Sequence, residues 1–239
     1  MGMSEYAKTQ LAPGGVLRAA INFGNPVLAR REHDGSTGGI TADLARELAE
    51  TLDAQVRFVP YEQAGDVFAG LETNAWDVCF LAIEPVRAAR IAFSAPYLTI
   101  EGVYLVPAAS ALRHAPDVDR EATRIGVIAG SAYDLFLSRG LAHASLVRLA
   151  GPQEVLESLL EGRVDLIAGV KPALEADLPR APGSRLLPEA FMSIRQAMGT
   201  PRERDAGAAW IAKFIDDARR SGLLAELFAR NRVEGGSLA

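Results

Sequence analysis

Asp77-Val78-Cys79-Phe80-Leu81-Ala82-Ile83 is a nearly continuous apolar run, and Glu84-Pro85-Val86-Arg87 follows it at once. A half-buried strand alternates apolar and polar residues; a run apolar on both faces belongs at the centre of a parallel sheet, with helices on either side. The chain upstream supplies those neighbours. Val16–Asn22 reads as a strand, and Asp34-Gly35-Ser36-Thr37-Gly38-Gly39 as a turn with Thr41 as the N-cap of the next helix. That helix sets Leu44, Leu48 and Leu52 in one stripe, with Glu47 and Glu50 outside it. A strand over 55–59 and a helix carrying Val67, Phe68 and Leu71 inward lead back to the apolar run.

Downstream the scheme repeats. Strands are expected over 124–129, 145–149 and 164–168, with helices from about Tyr133 and over 152–161. Even the helix-to-strand joints correspond: Leu71-Glu72 precedes Asp77-Val78, as Leu160-Glu161 precedes Asp165-Leu166. The fold class is therefore α/β, with two similar βαβαβ lobes. The segments 97–107 and 191–200 read as two strands crossing between them, Gly102 allowing a bend. An amphipathic helix with Trp210, Ile211, Phe214, Ile215 and Ala218 on one face is closed by Gly222, and a short helix over Leu223–Arg230 packs back on the first lobe. Residues 231–239 read as a frayed tail. The expected division is 14–99 with 197–239 as lobe 1 and 100–196 as lobe 2, a ligand cleft lying between them.

Composition narrows the function. Twenty-five basic against thirty acidic side chains give a net charge of −5, the wrong sign for a protein that grips phosphates, so no nucleic-acid partner is expected. The longest strongly apolar stretch falls far short of the ~20 residues a membrane span needs. A single cysteine, Cys79, rules out an intramolecular disulfide and a thiolate metal site, and His33, His114 and His143 stand apart, in solvated or capping roles. No metal and no cofactor is expected. Met1-Gly2 reads as an addition ahead of a start at Met3, and no secretory signal is visible, which fits either a trimmed mature form or an unexported protein.

In parallel α/β sheets ligands bind beyond the carboxyl ends of the strands. Four segments lie there: Asn22-Phe23-Gly24-Asn25-Pro26, 81–87, Gly130-Ser131-Ala132-Tyr133 and Gly169-Val170-Lys171. Arg87 offers a planar fork of donors matched to a carboxylate. Gly130-Ser131, opening a helix, is a candidate anion nest. A fork from one lobe and a helix start from the other suit the same negative group.

Three stretches, 17–22 (Leu-Arg-Ala-Ala-Ile-Asn), 39–45 (Gly-Ile-Thr-Ala-Asp-Leu-Ala) and 87–97 (Arg-Ala-Ala-Arg-Ile-Ala-Phe-Ser-Ala-Pro-Tyr), resemble the family 3 extracellular solute-binding proteins, the polar amino-acid receptors of ABC importers. Gly126 to Tyr133 and Gly162-Arg163-Val164-Asp165 carry the resemblance into the second half, so that it covers about 14–232. It implies the type II periplasmic binding fold, a small carboxylate-bearing ligand (an amino acid or an organic acid) held without chemistry, ABC permease subunits as partners, a monomer and a periplasmic location. Arg87 would bind the ligand's α-carboxylate, aided by Gly130, Ser131 and Ala132; Asn22, Phe23, Phe80, Ala82, Val170 and Lys171 complete the expected ligand-binding set, with Phe23 stacking on the ligand.

The chain also departs from that pattern. Cys79-Phe80-Leu81-Ala82 stands where hydroxyl residues are usual, Asn22 replaces an acidic residue, and Asn25 falls where an aromatic often covers the ligand. The aspartate that usually holds the α-ammonium falls on Val170. Burying an ammonium without an anion costs several kcal/mol, more than the ~1.5–3 kcal/mol a charged hydrogen bond returns. The favoured ligand is therefore a small carboxylate or dicarboxylate that needs no amine, unless Glu84 or another acid supplies the charge. Two alternatives stay open. One is an enzyme resembling cyclohexadienyl dehydratase, with Glu84 as general acid; the other is a cytoplasmic ligand-sensing module.

Overall fold

The computed structural model describes residues 3–239; the reading of Met1-Gly2 lies outside them. The chain divides into two compact units, Met1–Thr99 with Arg195–Ala239, and Ile100–Ile194. Unit 1 opens with helix α1 (Met3–Leu11), for which no expectation was formed, and continues through strand β1 (Val16–Asn22), a two-strand hairpin β2 (Arg30–Arg31) and β3 (Thr37–Gly38), α2 (Ile40–Thr51), β4 (Gln55–Tyr61), α3 (Ala64–Ala69), β5 (Val78–Ala82), a single-turn α4 (Pro85–Ala88) and β6 (Ile91–Phe93). Strand β7 (Leu98–Pro107) carries the chain into unit 2: β8 (Arg124–Ile128), α5 (Ala132–Gly140), β9 (Ser145–Leu149), α6 (Pro152–Leu160), β10 (Leu166–Val170), α7 (Lys171–Asp177) and β11 (Ser184–Leu186). Strand β12 (Met192–Pro201) brings it back for α8 (Asp205–Ser221), α9 (Leu223–Arg230) and β13 (Gly236–Leu238).

The two units repeat one topology. In unit 1, β1 lies parallel between β4 and β5, and β12 runs antiparallel on the far side of β5, followed by β6. In unit 2, β8 lies parallel between β9 and β10, and β7 runs antiparallel beyond β10, followed by β11. All five residues of β5 are buried, as its two-sided apolarity requires. Ala20, Val67, Trp76, Cys79, Leu81 and Ile91 form one core of unit 1; Val103, Leu105, Leu156, Leu159 and Ile167 are among those filling unit 2.

The repeat extends to one charged device. Asp77, ahead of β5, takes the Arg18 amide at 2.9 Å and the Arg18 guanidinium at 2.8 and 2.7 Å, while its own amide donates to Arg18 O at 2.8 Å. Asp165, ahead of β10, takes the same three groups of Arg124 at 2.8, 3.2 and 2.8 Å, and its amide donates to Arg124 O at 2.9 Å. The clasps tie β1 to β5 and β8 to β10 at their amino ends. Unit 1 adds Arg204 of the returning chain, whose guanidinium reaches Asp77 at 2.7 Å.

Three expectations need correction. Thr41 is not an N-cap: the helix starts at Ile40 behind Gly39, whose φ of 102° turns the chain, and the buried Thr41 hydroxyl donates to Leu28 O at 3.1 Å. A side chain at 39 would place Cβ 2.5 Å from Leu28 O, so glycine is required there. The strand expected over 164–168 is Leu166–Val170, because Asp165 is spent in the clasp and the Val164 amide in closing α6 on Ser158 O. The expected frayed tail holds β13, which pairs with β7; Thr99 Oγ1 donates to Ser237 O at 3.5 Å and the Ala239 amide to Tyr97 O at 3.4 Å.

Candidate functional site

Arg87 is held by its local chemistry. Strand β5 ends at Ala82, Pro85 sits at the start of α4, and the single turn that follows brings the guanidinium back to the strand end. There Nη1 donates to Ala82 O at 3.2 Å. The side chain is 1% exposed, and Glu84 beside it is 4% exposed. Burial pushes the guanidinium down to about 10, against the pull of the Glu84 carboxylate, so it stays charged at neutral pH. Glu84 stands at the N-cap position without accepting a capping bond from α4.

The other expected residues of unit 1 gather around the same strand ends. Asn22 closes β1, its Oδ1 accepting from the Gly24 amide at 3.0 Å; the half-buried Phe23 follows, its amide donating to Tyr61 O at 2.8 Å. Phe80 packs edge-on to Tyr97, ring centroids 6.3 Å apart, within the interior. Asn25 is buried in its own turn, accepting from the Val27 amide at 3.2 Å.

In unit 2, Gly130 adopts φ 69° and Ser131 caps α5, its Oγ accepting from the Asp134 amide at 3.1 Å. The nest is partly filled from within: Asp134 Oδ2 accepts from the Gly130 amide at 2.9 Å, and the buried Asp134 is ion-paired with Arg148 at 3.0 Å. The amides of Ala132 and Tyr133 are the donors this helix start presents. Tyr133, buried, has its hydroxyl pushed up by burial while a hydrogen bond with Ser131 opposes that shift. Val170 ends β10, and the Lys171 amine pairs with Glu101 at 2.8 Å, which raises its pKa. Sequence reasoning missed Asp134, Arg148 and Glu101. Asp134 was findable, because Ser131-Ala132-Tyr133-Asp134 has capping-box spacing; the others carry no local signal. Among the described residues no group of three or more His, Cys, Asp and Glu could hold a metal ion, and no helix is long and apolar enough to cross a membrane.

A repeated open α/β unit, entered and left through two long strands, with a buried guanidinium at the end of a central strand, defines a mixed α/β binding fold of the type II periplasmic kind. Residues 17–232 match the model of the bacterial extracellular solute-binding proteins, family 3, and the chain belongs to that family. The L-arginine-binding protein of Pseudomonas aeruginosa is 24% identical over 163 residues, 66% of this chain; the match spans 62% of that relative's length. The cyclohexadienyl dehydratase of the same organism is 24% identical over 238 residues, covering 94% of this chain and 84% of that one. Among solved structures, a mutant of ArgBP from T. maritima superposes with a TM-score of 0.78 at 21% identity, covering 95% of this chain and all (100%) of the other.

Proposed function

We propose that this chain is the solute-binding component of an ABC importer, exported and docking on permease subunits, and that it binds a small carboxylate-bearing ligand without chemistry. The carrying observation is Arg87, 1% exposed and charged at the end of β5. A guanidinium offers a planar fork of donors, and a ligand carboxylate matches that fork. The ligand-binding residues proposed with Arg87 are Asn22, Phe23, Phe80 and Ala82 in unit 1, and Gly130, Ser131, Ala132, Val170 and Lys171 in unit 2. The family, and the similarity to an L-arginine-binding protein, support the solute-binding class. A thermal-shift screen of amino acids against mono- and dicarboxylic acids tests the reading, with Arg87→Gln as control. Stabilisation by a carboxylate ligand, abolished in the variant, is expected; a preferred ligand without a carboxylate refutes it.

A second reading is favoured by the near-full-length similarity to a cyclohexadienyl dehydratase. There Glu84, buried beside Arg87, would be the general acid, protonating a departing hydroxyl. Incubation with prephenate or arogenate, followed by absorbance, separates the two: product formation that disappears in Glu84→Gln establishes the enzyme, and its absence leaves the binding protein.

A further inference from the structure

The ring of Phe23 is already occupied. The Arg31 guanidinium lies over it, its central carbon 4.0 Å from the ring centroid, a cation on the negative face of an aromatic. Ring and cation are supported differently. Phe23 is fixed by the end of β1, through its amide bond to Tyr61 O at 2.8 Å. Arg31 comes from the β2–β3 hairpin, which consists of only the pairs Arg30↔Gly38 and Arg31↔Thr37. Its second tether is the ion pair from Nη2 to Glu62 Oε1, just past β4. The partners are 55% and 69% exposed, so the pair is accessible from solvent. The neighbouring charges, Arg30 and Glu32, are paired with each other at 2.8 Å.

We infer that Arg31 determines specificity: by occupying the Phe23 face and neutralising Glu62, it makes the ligand site reject molecules with a cationic side chain. The inference rests on the reading of Phe23 and Arg87 as ligand residues. An aromatic ring at the end of a strand, with a carboxylate beside it, is a natural seat for a guanidinium or ammonium side chain. Here the protein's own guanidinium fills that seat. An arriving cation would meet like charge, and to stack on the ring it must displace Arg31 and break the Glu62 pair. A neutral side chain of the same shape meets no such repulsion. Removing Arg31 has two effects of the same sign, since it uncovers the ring and releases the Glu62 carboxylate.

The test uses the full chain and two probes of nearly identical shape, L-arginine and its uncharged isostere L-citrulline, titrated calorimetrically. The wild-type protein is expected to favour L-citrulline by roughly tenfold, and Arg31→Ala to gain L-arginine affinity by roughly tenfold, erasing or inverting that preference. Arg31→Lys keeps the charge and is expected to keep the discrimination; Arg31→Ala with Glu62→Gln is expected to return part of the gain. No gain of L-arginine binding in Arg31→Ala, or an unchanged ratio between the probes, overturns the inference. Failure of the underlying reading shows separately, as Arg87→Gln binding both probes like the wild type.

Discussion

Asp77→Asn removes one negative charge from the clasp of unit 1 while keeping the shape of the side chain. Asp77 is fully buried and accepts four bonds: from the Arg18 amide, twice from the Arg18 guanidinium, and from Arg204, all between 2.7 and 2.9 Å. Asparagine retains one oxygen, enough for about half of them. The loss is then roughly two charge-assisted bonds at ~1.5–3 kcal/mol each, in line with the ~3–5 kcal/mol that breaking a buried ion pair costs. The matching Asp165→Asn in unit 2 is the internal control. Asp165 and Arg124 are 42% and 44% exposed, where solvent screens the pair and the cost falls to about 1 kcal/mol or less. Native-state hydrogen exchange read by mass spectrometry reports each unit separately, so a single global transition need not be assumed. Opening of β1 and β5 is expected to ease by several kcal/mol in Asp77→Asn, and β8 and β10 to change little in Asp165→Asn. Equal effects of the two substitutions would refute the claim that burial, rather than the shared geometry, sets the worth of the clasp.

Truncation after Arg232 removes β13, and with it the pairing to β7 and the Arg219 bond to Ala239 O at 3.2 Å. Exchange at Thr99 and its neighbours, where the chain leaves unit 1, should rise at least tenfold, with unit 2 unaffected. On the surface, the His114–Glu189 pair should titrate as a coupled clasp. Glu189 raises His114 and His114 lowers Glu189. The stabilisation by the raised His114 is present below its unfolded pKa and lost as pH rises through the folded value; that of Glu189 is present above its unfolded pKa and lost as pH falls through its folded value. The clasp is therefore strongest between those limits. An NMR titration should place His114 above the ordinary ~6.5, and Glu189→Gln should bring it back.

The fold was legible wherever burial wrote itself into periodicity. The run ahead of Arg87 could only be a two-sided strand, and the Leu44, Leu48 and Leu52 stripe is buried along α2 and its C-cap as spaced. What escaped was set by contacts distant in sequence. Strand β13 has three residues and no pattern of its own; the edge of β7 makes it a strand. Helix α1 owes its place to α8, where Gly207 leaves room for Leu11 and donates its amide to Gln10 at 2.8 Å. The site shows the same division. The position of Arg87, one turn past a strand end, followed from Glu84-Pro85 closing the apolar run. That Asp134 would fill the turn at Gly130, that Glu101 would engage Lys171 and that Arg31 would cover Phe23 depended on side chains meeting in space.

A crystal structure of the protein with the ligand that stabilises it best, or with whatever small molecule it retains through purification, bears on Arg87 without intermediaries. The expected result is a ligand carboxylate in a forked pair with the Arg87 guanidinium, at about 2.7–2.9 Å. A ligand seated away from Arg87, or one meeting it with no carboxylate, would contradict the proposed role.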